Sequence, residues 1–282
     1  MTLVKQFSIM VSSVVWGMLL FGMATVAQAD LLISPTRVLV TAEQPVAQVT
    51  LRNTGSSTRT YRMEWREMRR NDGGGYAEIE NPGSSDRIAS PMLRYSPRQI
   101  TLDPGETQTV RIQFQTRNDL TPGEYRSHLR FSTAGGPPAA EPETGRAQAV
   151  MRIGLAFSIP VIARVGTPED MMASISSIQP RMETNPSDGI QRLALDVTVS
   201  RSGAYSSFGD LNVHMQRTAN DPVELVGKVT DFTVFADANA RPVTVVLRDD
   251  VQIPQGAWIR VSYDGKQEYA GRVLAEQVFQ IQ

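Results

Sequence analysis

The chain holds no cysteine, so thiol nucleophiles and disulfide staples are both excluded. Its two histidines are His128 and His214. His128 sits in Tyr125-Arg126-Ser127-His128-Leu129-Arg130-Phe131, on the polar side of an alternating segment and between two arginines. A cationic neighbourhood opposes a bound metal cation, so this pattern predicts a solvated strand face. His214 lies between Val213 and Met215 with no second histidine in range, and it reads as a surface residue. Gly73-Gly74-Gly75 lacks the G-x-x-x-x-G-K pattern and strand-to-helix setting of a phosphate cradle, which leaves a hairpin loop. Gly203, Gly209 and their serines do not form G-x-S-x-G. The carboxylate pairs Glu141/Glu143 and Asp249/Asp250 fall in loop-like segments and read as surface charge. No enzyme, metal site, cofactor or small-molecule substrate is expected from these residues.

The sequence around these residues has the make-up of an exported protein with packed cores. Lys5 provides a positive n-region, 9–26 is almost wholly apolar, and Ala27-Gln28-Ala29 forms an A-x-A cleavage triplet. Residues 1–29 are therefore expected to be a signal peptide, with a membrane anchor as the weaker reading. Their removal takes Lys5 from 28 basic residues and none from 29 acidic ones, giving 27 against 29 and a net charge of −2. No polybasic tract argues for nucleic acid or an anionic membrane surface. At 282 residues, 41% hydrophobic and 20% charged, the chain has room for two cores.

Period-two alternation dominates the mature part. It predicts strands at 46–53, 60–66, 98–102, 110–114 and 125–131, with turns at Asn53-Thr54-Gly55, Asp103-Pro104-Gly105 and Thr121-Pro122-Gly123. A segment rich in Gly, Pro and Glu, 133–148, then leads into AVMRIGLAFSIPV at 149–161, apolar at every odd position. The cluster Gly166-Thr167-Pro168-Glu169-Asp170 marks a boundary. Further strands are predicted at 193–199, 211–215, 230–235, 243–247, 258–263 and 268–274. No helix of two or more turns is expected. The expectation is an all-β chain of two β-sandwiches, 30–166 and 167–282.

Several stretches, taken in order, resemble a known family. They are Ser34-Pro35-Thr36-Arg37-Val38, Leu51-Arg52-Asn53-Thr54-Gly55, the run from Leu102 to Ile112 with its Pro-Gly turn, the run from Gly123 to Arg130, and Ile159-Pro160-Val161. Ser202-Gly203, Gly209-Asp210-Leu211 and Arg260-Val261-Ser262-Tyr263-Asp264 follow. Together they resemble the periplasmic pilus chaperones of the chaperone–usher pathway, across essentially the whole mature chain.

The resemblance implies two immunoglobulin-like domains set at an angle as an L-shaped pair. It implies that an edge strand of the first domain is lent to a pilus subunit lacking its own last strand. Ala149, Met151, Ile153 and Leu155 are the donated residues on this reading, with a change of face near Gly154 left open. Arg37 matches the family arginine that captures the subunit's C-terminal carboxylate, a task suited to a bidentate, permanently charged guanidinium. The family's lysine partner is absent, since Gly154-Leu155-Ala156 stands in its place. Arg152 or Arg164 could supply the second cation, or Arg37 and backbone amides could hold the carboxylate alone. The implied partners are pilus subunits and an outer-membrane usher, the implied compartment is the periplasm, and a self-capping homodimer could cover the apolar edge of the free protein. The competing reading is a secreted structural protein, a pilin or adhesin. The alternation at 149–161 could equally serve the domain's own core. Arg111 reads as a strand-face residue in a structural salt bridge.

Overall fold

The structure, a computed structural model, describes residues 30–70, 75–83, 86–116, 119–134, 156–168, 171–184 and 189–281. The expected signal peptide, the donated residues Ala149, Met151, Ile153 and Leu155, and Arg152 lie outside these residues.

Alternation becomes sheet wherever one face can be buried. In the first half the chain runs through β1 (Leu31–Ser34), β2 (Val38–Val40), β3 (Val46–Asn53) and β4 (Arg59–Arg66). A hairpin of β5 (Met68–Arg70) and β6 (Tyr76–Glu78) follows. Then come β7 (Leu93–Ser96), β8 (Gln99–Leu102), β9 (Thr107–Phe114), β10 (Gly123–Thr133) and β11 (Ala156–Val165). One sheet has the order β1-β3-β9-β7 and the facing sheet β2-β11-β10-β4-β8. Strand β9 shows the logic: Val110, Ile112 and Phe114 point inward while Arg111 and Gln113 are exposed. A single core draws Leu51 and Ile112 from one sheet and Leu129, Phe131 and Val161 from the other.

The second half repeats the scheme with β12 (Met172–Thr184), β13 (Gln191–Ser202), β14 (Ser207–Gln216) and β15 (Glu224–Val234). It closes with β16 (Ala240–Val246), β17 (Trp258–Gly265) and β18 (Val273–Gln280). Its sheets are β12-β13-β16 and β15-β14-β17-β18, sealed by a core that includes Val197, Val199, Leu211, Val213, Ile259, Val261 and Tyr263. The buried Tyr263 hydroxyl donates to the carbonyl of Phe232 at 3.0 Å, which removes the cost of leaving it dry and unbonded. Among the described residues the only helical pieces are 3₁₀ turns, so the all-β, two-sandwich expectation holds.

Three sequence expectations differ from the fold. The strand predicted at 268–274 is instead a 3₁₀ turn, Gln267–Tyr269, followed by β18. Gly265 explains the turn: a Cβ there would sit 2.3 Å from the Tyr269 carbonyl oxygen, so the chain can fold back tightly only on glycine. The sequence reading did not assign the long β12, whose apolar residues change face at a bulge between Ile175 and Ser177, or the short β7, which is only four residues long. Arg111 is exposed and forms no ion pair among the described residues.

Candidate partner-binding cleft

Strands β1 and β2 belong to different sheets, so the chain crosses between sheets at Ser34-Pro35-Thr36-Arg37. Proline suits the crossing because it brings no N–H that would need a ladder partner. Beyond it, Val38 pairs in parallel with Val161 of β11, which sets Arg37 beside that strand at the junction of the two sandwiches. Arg37 is only 6% exposed. Its Nη1 donates to Gln267 Oε1 at 3.0 Å and its Nη2 to Glu268 Oε1 at 2.9 Å. The guanidinium carbon lies 4.4 Å from the centroid of Phe208, a cation–π contact. The Arg37 Nε is buried and has no acceptor.

Beside Arg37 lies a buried ionic cluster that joins the two sandwiches. Glu124 and Arg164 are opposite each other in the β10–β11 ladder. Arg164 Nε and Nη2 donate to Glu124 Oε1 at 3.0 and 2.5 Å, and Nη2 also reaches Glu268 Oε1 at 2.9 Å. The second oxygen of Glu124 accepts from the Ser206 backbone N–H at 3.0 Å and from the Ser206 hydroxyl. Burial works against the charge on Arg164, but Glu124 and Glu268 outweigh it and raise the pKa. Burial likewise opposes the charge on Glu268, and Arg37 with Arg164 overcomes this and holds the carboxyl below its usual range. Each charge faces an opposite one, the condition under which buried ions are tolerated. The Tyr205 hydroxyl adds a bond to the Val165 carbonyl at 3.0 Å.

A second clasp lies further along β10. Arg126 donates to both oxygens of Asp237, at 2.9 and 2.6 Å, and stacks 4.1 Å from the ring centroid of Phe235. His128 follows on the same face. It is 3% exposed, with the Tyr76 ring meeting it edge-on at 5.2 Å. The solvated face expected for Arg126 and His128 is therefore covered, by the β5–β6 hairpin and by the second sandwich. Burial first, then the Arg126 charge, pushes the His128 pKa down to about 4 against the pull of Asp237. His214, expected at the surface, is half-buried with its Nδ1 unpartnered.

Of the sequence-derived site residues, the structure places Arg37 in the interdomain cleft. Arg164, one of two candidates for a second cation, is 4% exposed and pairs with Glu124 and Glu268. Sequence reasoning missed Glu124, Arg126, Asp237, Gln267 and Glu268. Glu124 and Arg126 carried a signal, as two opposite charges side by side on the face of β10 that also holds His128 and Arg130. Glu268 carried none, because its place depends on the turn at Gly265. No group of three metal-ligating side chains occurs among the described residues.

The chain matches no family model and no curated protein. Solved structures to which it is similar include several chaperones. The YadV chaperone is 14% identical, with 90% of this chain and 100% of that one covered at a TM-score of 0.41. The Pseudomonas aeruginosa CupB2 chaperone is 13% identical, with 89% and 100% covered at 0.42. A chain of the Salmonella enterica SafA pilin in complex with the SafB chaperone is 12% identical, with 91% and 99% covered at 0.40.

Proposed function

We propose that this chain is a periplasmic chaperone that binds pilus subunits and passes them to an outer-membrane usher. Residues 30–166 form its subunit-binding immunoglobulin-like domain and 167–282 a second one, set at an angle. The segment 149–155 adds to an incomplete subunit as its missing strand, through main-chain hydrogen bonds and alternate side chains. Burial of Met151, Ile153 and Leu155 in the subunit groove is worth about 1.5–3 kcal/mol each before ordering costs. In the free protein a second copy can cover the same apolar edge.

The observation that carries this reading is Arg37. Its guanidinium is fixed in the cleft between the sandwiches, directly beside β11, the strand that continues 149–155. A carboxylate at the end of an added strand can be received there, while the Glu124–Arg164–Glu268 cluster keeps the cleft in one shape. The test is co-expression with the pilus subunit encoded beside this chain, followed by pull-down. Arg37→Ala leaves the fold intact, because Glu268 retains Arg164, and it loses subunit capture. Recovery of subunit equal to wild type removes the anchor role. Ile153→Asp weakens capture without lowering the melting temperature of the free protein. A collapse of the fold instead returns Ile153 to the core of its own domain.

A further inference from the structure

Of the two candidates for the anchor's second cation, Arg164 is already paired with two carboxylates and Arg152 lies outside the described residues. A different arginine faces the same place. Arg241, at the start of β16 in the second sandwich, lines with Arg37 a cavity of about 160 Å³ whose walls include Phe208 and Pro160 of β11. The Arg241 guanidinium is stacked 4.4 Å from the centroid of Phe232, and its Nη1 donates to the Thr233 carbonyl at 2.9 Å. It forms no ion pair among the described residues, and its Nε–H is buried with no acceptor. The Nε–H of Arg37 is in the same condition, while the outer nitrogens of Arg37 are taken by Gln267 and Glu268. Two arginines, each with a buried Nε–H that has no acceptor, thus line one cavity.

A buried donor without an acceptor costs free energy, so this pair selects a ligand that brings two acceptor atoms and a negative charge. A carboxylate brings both. The cavity is well below the roughly 300–1,000 Å³ of ordinary ligand pockets, so it admits a single carboxylate group and not a nucleotide or cofactor. Asp231 also lines the cavity, but Lys266 Nζ lies 2.6 Å from it and offsets its charge. Burial and then the like charge of Arg70 lower the Arg241 pKa, a shift that the charge of a bound anion opposes.

On the chaperone reading above, we propose that Arg241 is the second carboxylate-binding residue of the cleft, holding the partner's C-terminal carboxylate jointly with Arg37. The second domain then takes part directly in capture, and a partner is gripped only while the two sandwiches keep their mutual position.

The test uses a fluorescent twelve-residue peptide of alternating valine and threonine, free of acidic residues, with a C-terminal carboxylate, and the same peptide as its C-terminal amide. The quantity read is the ratio of the two dissociation constants, which a general loss of stability does not move. The full chain binds the carboxylate form more tightly, and R241Q lowers the ratio about tenfold, the weight of one charged hydrogen bond. R241M, which keeps its stem against Phe232, serves in the same way where R241Q does not fold. An unchanged ratio in these variants, with the ratio abolished by R37A, overturns the assignment of Arg241 and leaves the chaperone reading standing. A wild-type chain that does not distinguish the peptides, or a ratio that R37A leaves intact, overturns both.

Discussion

Lowering the pH should destabilise this protein chiefly through His128, well before its carboxylates titrate. The ring is 3% exposed, both nitrogens lack partners, and its pKa lies at about 4. An unfolded chain takes up the proton near pH 6.5 and the folded one only near 4. The unfolded state therefore binds more protons between these values, so stability is fully present above 6.5 and is lost as pH falls toward 4. The two pKa values give a loss of almost nothing at pH 7, about 2 kcal/mol at pH 5 and about 3 kcal/mol at pH 4. His128→Met has a similar volume and no titrating group, and it replaces a ring that makes no hydrogen bond. The two proteins should be of similar stability at pH 7.5. Urea denaturation followed by tryptophan fluorescence, at steps from pH 7.5 to 4.5, measures both. Arg126, Asp237 and the remaining titrating groups are common to the pair, so the difference isolates His128. The variant should gain about 2 kcal/mol on the wild type by pH 5. A difference that stays within about 0.5 kcal/mol across the range refutes the placement of a neutral buried histidine.

Glu268→Ala leaves Arg37 with Gln267 alone and Arg164 with Glu124 alone, and should cost about 2–4 kcal/mol in denaturant unfolding at pH 7. Because the Glu268 pKa is lowered, its contribution is present above the ordinary glutamate range and is lost as pH falls through the folded value. Wild type and Glu268→Ala should therefore converge in acid; a constant gap contradicts the ion pairs. Leu129→Ala, at a position fully enclosed between the sheets, should cost about 2–5 kcal/mol, read as a shift of the denaturation midpoint without change of slope.

Much of the fold was legible because two-residue periodicity survives in strands such as β9 and β17, whose inward faces are apolar without interruption. Where a strand is covered on both faces the pattern misleads. β10 alternates charged and apolar residues like a surface strand, yet Glu124, Arg126 and His128 meet the hairpin of β5 and β6 and the second sandwich. Only tertiary structure supplies that cover. Arg37 was singled out by the resemblance of Ser34-Pro35-Thr36-Arg37-Val38 to a family motif. Its partners Gln267 and Glu268 are some 230 residues away, on a turn that Gly265 creates in a stretch read as strand. Arg241 gave no sign at all, since nothing local distinguishes an arginine that lacks an acid from one that has it.

The central claim is that residues 149–155 become a strand of the partner. Amide hydrogen–deuterium exchange across that segment, with and without the co-expressed pilus subunit, tests it most directly. Strand addition gives alternate amides of 149–155 new acceptors, so the account predicts marked slowing of their exchange in the complex. A complex that forms while exchange across 149–155 stays unchanged contradicts it.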